Sequence, residues 1–267
     1  MAGAGLEKKL DILADILRGY GSVAVAFSGG VDSTFLLGYA HRILHDRVTA
    51  VTAIAPNFSP DETADAVNFC AVAGIRHLIV GLGDSFLDGF ADNPKNRCYL
   101  CKRGIFEKLL THPALIGITI ADGSNIDDMR DYRPGEKALA ELGVKSPLRE
   151  AGLSKEDIRA ASKGIGLKTW DKPALACLAT RIPYGERITR EKLTAIYTLE
   201  KMLHEAGFSQ VRVRHHGDVA RIEALPCDRE KFFDTGFMDK VNAAAQNAGF
   251  TYAALDLGGY KMGNMNK

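Results

Sequence analysis

The chain has 267 residues, of which 46% are apolar and 25% are charged, values typical of a protein with a substantial core. Its 34 basic and 33 acidic side chains leave a net charge of +1, which argues against broad electrostatic binding to nucleic acid. There is no run of about 18 apolar residues that could cross a membrane, and the five cysteines do not suit a secreted disulfide framework. We therefore expect a cytoplasmic enzyme of small-molecule metabolism.

The first half of the chain alternates helical and strand-like patterns. An amphipathic helix is expected over residues 1–21, because charges interrupt the apolar stretch throughout. Short apolar, β-branched runs predict strands buried on both faces, at residues 23–27, 48–54, 75–80 and 116–121. Helices are predicted at residues 34–44, 61–73, 103–110 and 154–163, the last opened by a Ser-x-x-Asp capping pattern. This order predicts an α/β fold, a parallel sheet with helices on both faces.

The pattern changes after Pro183. Thr189 is expected to cap a helix that runs to about Ala206, with Gly207 marking its end. Alternating strands at residues 211–214 and 219–224, a helical stretch around 231–248 and a strand near 252–257 follow. We therefore predict a first domain over residues 1–185 and a small C-terminal α+β domain over residues 186–267.

A glycine-rich turn joins the first strand to the next helix. The strand leads directly into Ser28-Gly29-Gly30-Val-Asp32-Ser33. The glycines allow a tight turn, the N-terminus of the helix adds partial positive charge, and the serine hydroxyls can donate to phosphate oxygens. This context favours phosphate binding over a plain strand–helix turn. The Gly-x-x-x-x-Gly-Lys pattern does not occur, so hydrolysis of a terminal phosphate is not expected.

A second loop follows the strand at residues 116–121. Its sequence is Asp122-Gly123-Ser124-Asn125-Ile-Asp127-Asp128, and loops at the carboxyl ends of parallel strands line the ligand crevice. Its carboxylates could hold Mg²⁺ on a triphosphate. A solvated acidic turn is an equally good interpretation of any single aspartate.

Three cysteines have sequence contexts that are typical of metal-binding or catalytic thiolates. Cys98 and Cys101 are three apart at the start of a helix, where they can share a metal, and basic neighbours favour their thiolates. A redox dithiol and half of a zinc site are alternative interpretations of this cysteine pair. Cys177 lies in the segment Ala-Cys-Leu-Ala-Thr-Arg-Ile-Pro-Tyr-Gly. Cys70 and Cys227 are interpreted as buried or incidental thiols.

The strand Val211-Arg212-Val213-Arg214 places both arginines on one face. Two guanidinium groups side by side suit a phosphate or a pair of carboxylates. On the pattern alone, an exposed face of an edge strand is the simpler interpretation.

These motifs together resemble a known family. Ser-Gly-Gly-x-Asp-Ser, residues 28–33, resembles the PP-loop of the N-type ATP pyrophosphatases. With the Cys177–Gly185 segment, the paired arginines and the closing Leu255-Asp-Leu-Gly-Gly-Tyr, the whole chain is similar to the LarE family. Members are ATP-dependent sulfur transferases in the biosynthesis of the nickel-pincer nucleotide cofactor of lactate racemase. The resemblance implies that carboxylates of a pyridinium dicarboxylate mononucleotide are adenylated, with release of pyrophosphate and AMP, and become thiocarboxylates.

The resemblance also implies roles for residues. Asp32 and Cys177 would be catalytic, and Arg212 and Arg214 would bind the substrate anion, with Arg181 and Glu223 as weaker candidates for that pocket. The nucleotide contacts would be Ser28, Gly29, Gly30, Asp32, Ser33, Gly123 and Asn125.

Two sulfur-delivery chemistries exist in the family. In one subgroup the cysteine matching Cys177 gives up its own sulfur and becomes dehydroalanine. In the other, three thiolates, here Cys98, Cys101 and Cys177, hold a [4Fe–4S] cluster whose open iron binds exogenous sulfide. We favour the cluster, and we expect ATP and Mg²⁺ at the site, sulfide or another sulfur donor as co-substrate, and a homo-oligomer.

Two other functions are weighed against this one. A PP-loop tRNA thiolation enzyme would share the Cys-x-x-Cys motif, but the near-neutral charge, the absence of an appended RNA-binding domain and the Cys177 segment argue against it. A non-catalytic nucleotide-binding module with structural zinc would bind ATP without producing AMP.

Overall fold

The computed structural model describes residues 2–130, 134–173 and 176–261. The chain forms two compact units. Unit 1 consists of Met1–Ala55, Pro60–Gly89 and Asn96–Leu175, and unit 2 consists of Pro56–Ser59, Phe90–Lys95 and Ala176–Lys267. Within the described ranges, none of the helices combines the length and apolarity needed to cross a membrane.

Unit 1 contains a four-stranded parallel sheet. Its strands are β1 (Val23–Ala26), β2 (Val48–Ile54), β3 (Arg76–Gly81) and β4 (Thr119–Ala121), in the spatial order β3-β2-β1-β4. The helices are α1 (Ala2–Tyr20), α2 (Val31–Leu44), α3 (Pro60–Ala73), α4 (Arg97–Leu110), α5 (Pro134–Glu141), α6 (Pro147–Glu150) and α7 (Lys155–Gly164). The predicted α/β fold with a parallel sheet is confirmed.

Residues of β1 alternate between two hydrophobic cores. Val23 and Val25 pack with apolar side chains of α1, α2 and α7. Ala24, between them, packs in a second core with side chains of α4 and α5. Because successive side chains of a strand point to opposite faces, the two cores lie on opposite faces of the sheet, and helices cover both.

Unit 2 is built around a smaller mixed sheet. Its helices are α8 (Arg190–Glu205) and α9 (Thr235–Asn247), and its strands are β5 (Val211–His216), β6 (Val219–Ala224) and β7 (Tyr252–Leu255). Strand β6 pairs antiparallel with β5 and parallel with β7. The apolar residues of β5 and β6 pack with α8 and α9, so the alternate residues, which carry the charges, share the other face.

Helix caps and glycines explain where most elements begin and end. The capping box of Ser154 and Asp157 forms at α7, and the Thr189 side chain accepts the Lys192 N–H at the start of α8. The strand predicted at residues 116–121 is shorter because Gly117, with a φ of +77°, turns the chain before Thr119. The predicted helical stretch 231–248 is two elements, a 3₁₀ helix (Pro226–Phe233) and α9, because Asp234 caps α9 by accepting the Phe237 N–H.

Candidate functional site

The turn from β1 to α2 leaves the first N–H groups of α2 open. Gly30 precedes the helix in an extended conformation, with φ −78° and ψ 165°, and no side chain of the described residues caps the helix there. Gly29 has a φ of +73°, a conformation that glycine adopts without strain. The N-terminus of a helix attracts anions through these N–H groups and its dipole. The PP-loop therefore has the local geometry of a phosphate-binding turn.

The two serine hydroxyls shape this loop. The Ser28 N–H donates to Ser33 Oγ at 3.3 Å, and the two hydroxyl oxygens lie 3.1 Å apart. Ser33 Oγ also donates to the Gly30 carbonyl at 3.2 Å, while the Gly30 N–H approaches Ser28 Oγ at 3.4 Å. Ser28 is exposed and Ser33 is buried. These bonds fix the loop, with the Ser28 hydroxyl at the surface.

Asp32, in the first turn of α2, forms an ion pair with Lys155. Its Oδ2 accepts a hydrogen bond from Lys155 Nζ, and both side chains are about one-quarter to one-third exposed. Its Oδ1 is buried and has no hydrogen-bond partner among the described residues. A hard carboxylate oxygen without a partner suits a ligand of Mg²⁺.

A second lysine reaches the PP-loop from the segment after α7. Lys172 Nζ donates to the Gly29 carbonyl at 3.3 Å and to Asp65 Oδ2 at 3.0 Å. Neither Lys155 nor Lys172 was among the site residues predicted from the sequence. One signal was available: Lys155 opens a helix, where its positive charge opposes the helix dipole.

Gly123, in the loop after β4, packs directly against the start of α2. A Cβ at this position would lie 2.9 Å from the Ser33 nitrogen and 3.2 Å from the Asp32 carbonyl carbon. Both neighbours are backbone atoms, which cannot swing away as the end of a side chain can. The glycine therefore lets the second loop reach the PP-loop closely.

Gly123→Ala is expected to displace the PP-loop, lowering the stability of the protein by about 1–3 kcal/mol through overpacking and weakening ATP binding. Gly81→Ala is the matched control, because a Cβ there would meet open space. Thermal unfolding and ATP titration calorimetry measure the two effects. Wild-type values for Gly123→Ala would contradict the close approach.

The acidic residues of the second loop are bonded within unit 1. Asp122 accepts hydrogen bonds from the Ser124 and Ser146 hydroxyls, at 2.5 and 2.6 Å. Asp127 Oδ2 accepts the first N–H of α7, at Lys155, at 2.7 Å. These bonds favour the interpretation of both aspartates as structural, and leave Asp32 as the carboxylate that better suits Mg²⁺.

Asn125 is buried. Its side-chain oxygen accepts the Asp127 N–H at 2.9 Å, and its backbone N–H donates to Asp128 Oδ2 at 3.0 Å. These bonds hold the loop in a fixed conformation beside Gly123. The role of Asn125 as a nucleotide contact stays a prediction.

In unit 2, Arg181 joins α8 to the backbone around Cys177. Its guanidinium donates to both carboxylate oxygens of Glu200, each at 2.9 Å. The same group donates to the carbonyls of Ala176 and Cys177, at 2.5 and 3.0 Å. Arg181 is 3% exposed. Its bonds hold the Cys177 backbone in place, a positioning role that the sequence did not reveal.

Arg212 and Arg214 lie on one face of β5, as their alternation predicted, but that face is buried. Each is 5% exposed. Arg214 donates to Glu223 Oε2 at 3.0 and 2.7 Å. Arg212 donates to the Val211 carbonyl and lies over the Tyr260 ring, 5.5 Å from its centroid. The interpretation of an exposed edge-strand face is therefore wrong.

Arg181, Arg212 and Arg214, with Glu200 and Glu223, form a buried group of charged side chains, which we call the arginine cluster. Burial, followed by the charge of Arg181, lowers the pKa of Arg212. A positive group held in a poorly solvated place favours an anion as its ligand. The role of Arg212 and Arg214 as contacts of a substrate anion stays a prediction.

The cysteines occupy different environments. Cys98 and Cys101 lie in the first two turns of α4 in unit 1, and Cys177 precedes a 3₁₀ turn (Leu178–Arg181) in unit 2. All three are partly exposed, and the chain forms no disulfide among its described cysteines. Cys70 is 1% exposed, and burial raises the pKa of its thiol to about 11, which keeps it unreactive.

The described side chains do not form a preassembled metal site. Within residues 2–130, 134–173 and 176–261, no group of three His, Cys, Asp or Glu side chains is arranged to hold a metal ion. Ala174 and Leu175, which precede Cys177 in its motif, lie outside the described residues.

The sheet order, the open glycine turn after β1 and the loop after β4 define an α/β protein with a PP-loop type of fold. No family model matches the chain. A protein named pyridinium-3,5-bisthiocarboxylic acid mononucleotide synthase, from Lactiplantibacillus plantarum, is 38% identical over 265 residues, which cover 98% of this chain and 95% of that protein. The chain therefore belongs to the LarE family.

Two uncharacterised relatives extend this similarity. A protein of Synechocystis sp. is 40% identical over 263 residues, 98% of each chain. A protein of Methanocaldococcus jannaschii is 30% identical over 202 residues, 75% of this chain and 77% of that protein.

Proposed function

We propose that this protein is an ATP-dependent sulfur transferase that converts carboxylates of a pyridinium dicarboxylate mononucleotide into thiocarboxylates, for the biosynthesis of the nickel-pincer nucleotide cofactor. The observation that carries the proposal is the 38% identity to the named synthase along nearly the whole of both chains. The same likeness favours this function over tRNA thiolation. Such an enzyme would act in the cytoplasm on a small nucleotide.

The PP-loop supports adenylation as the first step. A substrate carboxylate oxygen attacks the α-phosphorus of ATP, the bond to the β-phosphate oxygen breaks, and its electron pair leaves on pyrophosphate. The open N–H groups at the start of α2 would hold the phosphates. Asp32 Oδ1 would provide an oxygen ligand for Mg²⁺, as its chemistry fits.

The arginine cluster supports binding of the anionic substrate in unit 2. Arg212 is 5% exposed and burial lowers its pKa, so an anionic group of the substrate would be a favourable partner for its charge. Arg181 and Arg214 are paired with Glu200 and Glu223, and Arg181 also holds the backbone at Cys177.

Sulfur delivery in the second step rests on the three partly exposed thiols. Cys98, Cys101 and Cys177 fit a [4Fe–4S] cluster by donor type and number, since three thiolates leave one iron position open. When bound, such a cluster would supply an iron that accepts sulfide. Cys177, whose backbone Arg181 holds, could instead donate its own sulfur.

Asp32→Asn is expected to lower substrate-dependent AMP formation by about 100-fold, because Mg²⁺ at the reacting phosphates would lose a charged oxygen ligand. Asp15→Asn removes a carboxylate from an exposed ion pair on α1 and is expected to be silent. Chromatographic detection of AMP and a pyrophosphate assay give the rates. AMP formation at the wild-type rate in Asp32→Asn would remove the proposed adenylation.

A further inference from the structure

Two lysines of unit 1, Lys155 and Lys172, donate hydrogen bonds to atoms of the PP-loop. Lys155 Nζ bonds Asp32 Oδ2 in the first turn of α2. Lys172 Nζ bonds the Gly29 carbonyl at 3.3 Å. The two lysines lie 17 positions apart in the chain, yet both ammonium groups are brought to the same six-residue loop.

Helix α7 positions both lysines. Lys155 is its first residue, and Arg159, one turn later, donates to the carbonyls of Trp170 and Lys172 at 2.5 and 3.0 Å. Lys163 Nζ, a further turn along, lies 4.6 Å from the centroid of the Trp170 ring. Successive turns of one helix therefore carry the first lysine and anchor the segment that carries the second.

Both lysines form ion pairs that solvent can reach. The Lys155 side chain is 34% exposed and that of Lys172 is 24% exposed, and the Asp65 partner of Lys172 is 66% exposed. Solvent that reaches these side chains screens both ion pairs, so they hold their partners more weakly than fully buried pairs do. Both ammonium groups can therefore exchange these partners for a more strongly charged anion at little cost.

We propose that Lys155 and Lys172 are polyphosphate-binding residues that contact the β- and γ-phosphates of ATP and then the pyrophosphate leaving group. This inference rests on the proposed adenylation. In that step the bond between the α-phosphorus and the bridging oxygen breaks, and the electron pair moves onto pyrophosphate. Two ammonium groups at the PP-loop stabilise this charge, which a loop without the Walker lysine must obtain elsewhere in the chain.

The test is pyrophosphate binding by titration calorimetry in the absence of carboxylate substrate, with ATP binding and AMP formation measured in parallel. Lys155→Ala and Lys172→Ala are each expected to weaken pyrophosphate binding by about 10- to 100-fold, the loss of one charge-assisted contact. Lys172→Arg keeps the charge and is expected to retain most of the affinity.

Two control variants separate this role from stability. Lys9→Ala removes an ion pair with Asp157 in the same first turn of α7, and Lys9 is 34% exposed, as Lys155 is. Lys168→Ala removes an exposed lysine from the 3₁₀ helix (Lys168–Asp171) just before Lys172. Both are expected to bind pyrophosphate as the wild type does, with thermal unfolding reported for every variant.

The outcomes distinguish the two proposals. If the wild-type protein binds pyrophosphate and forms AMP but both alanine variants match it, the assignment of the lysines is overturned and the proposed function stands. If the wild-type protein binds neither ATP nor pyrophosphate, both fail. A loss of affinity in Lys9→Ala equal to that in Lys155→Ala would show that helix stability, and not phosphate contact, is responsible, and would also overturn the assignment.

Discussion

Arg214→Ala is expected to destabilise unit 2 strongly, by about 3–5 kcal/mol, because it removes one partner of a buried ion pair. Glu223 is fully buried and accepts two hydrogen bonds from Arg214. Arg221 also lies 3.0 Å from Glu223, but it is 25% exposed. Arg187→Ala, which removes one partner of an exposed ion pair with Asp92 in the same unit, is the control, and we expect its effect on thermal and urea unfolding to be much smaller.

Arg212→Ala separates substrate binding from stability. Its guanidinium donates to the Val211 carbonyl and lies over Tyr260, and burial disfavours its charge. We expect a smaller loss of stability than in Arg214→Ala, and a loss of about 1.5–3 kcal/mol in affinity for the anionic substrate. ATP affinity is expected to stay at the wild-type value. A collapse of ATP binding would place the arginines at the nucleotide instead.

The fold of unit 1 was predictable because its signals are local. Buried parallel strands are continuous apolar runs, and β2 is found at the predicted residues. Helix α7 begins where Ser154 and Asp157 predicted a capping box. The bridge between Ala121 and Lys145 was not predicted, because nothing near Lys145 has the length or the alternation of a strand.

The candidate sites were predictable only in the parts that are contiguous in sequence. The PP-loop is six neighbouring residues, and its turn geometry follows from two glycines. Lys172 reaches Gly29 across 143 positions, and that contact depends on how α7 packs on α2. No local pattern encodes such a contact.

The arginine cluster shows the same limit. Period-two alternation placed Arg212 and Arg214 on one face, but it could not tell whether that face is buried. The Arg/Glu alternation of β6 was an available signal, because Glu223 lies opposite Arg212 in the antiparallel pair and charges of opposite sign on neighbouring strands attract. Glu200, from α8, required the tertiary structure.

Cys177→Ala is expected to abolish sulfur transfer under either delivery chemistry, while AMP formation continues, because the PP-loop is built from other residues. The other cysteine variants decide between the two chemistries. If three thiolates hold one cluster, Cys98→Ala and Cys101→Ala also lower iron content and sulfur transfer together. If Cys177 is the sulfur donor, Cys98→Ala is nearly silent. Cys227→Ala, at an exposed cysteine outside the set, is the control in both cases.

The fate of the Cys177 peptide gives the sharpest measurement. With a cluster and added sulfide, the protein turns over repeatedly and the mass of this peptide stays unchanged. With a sacrificial thiolate, reaction stops after about one sulfur per chain, because a donor that is not resupplied is stoichiometric. The peptide then loses the elements of H₂S and contains dehydroalanine. Mass spectrometry of protein purified anaerobically distinguishes the two outcomes. The iron, sulfide and zinc contents are measured on the same sample. Dehydroalanine at Cys177 in protein fully loaded with iron and supplied with sulfide would exclude delivery through the cluster.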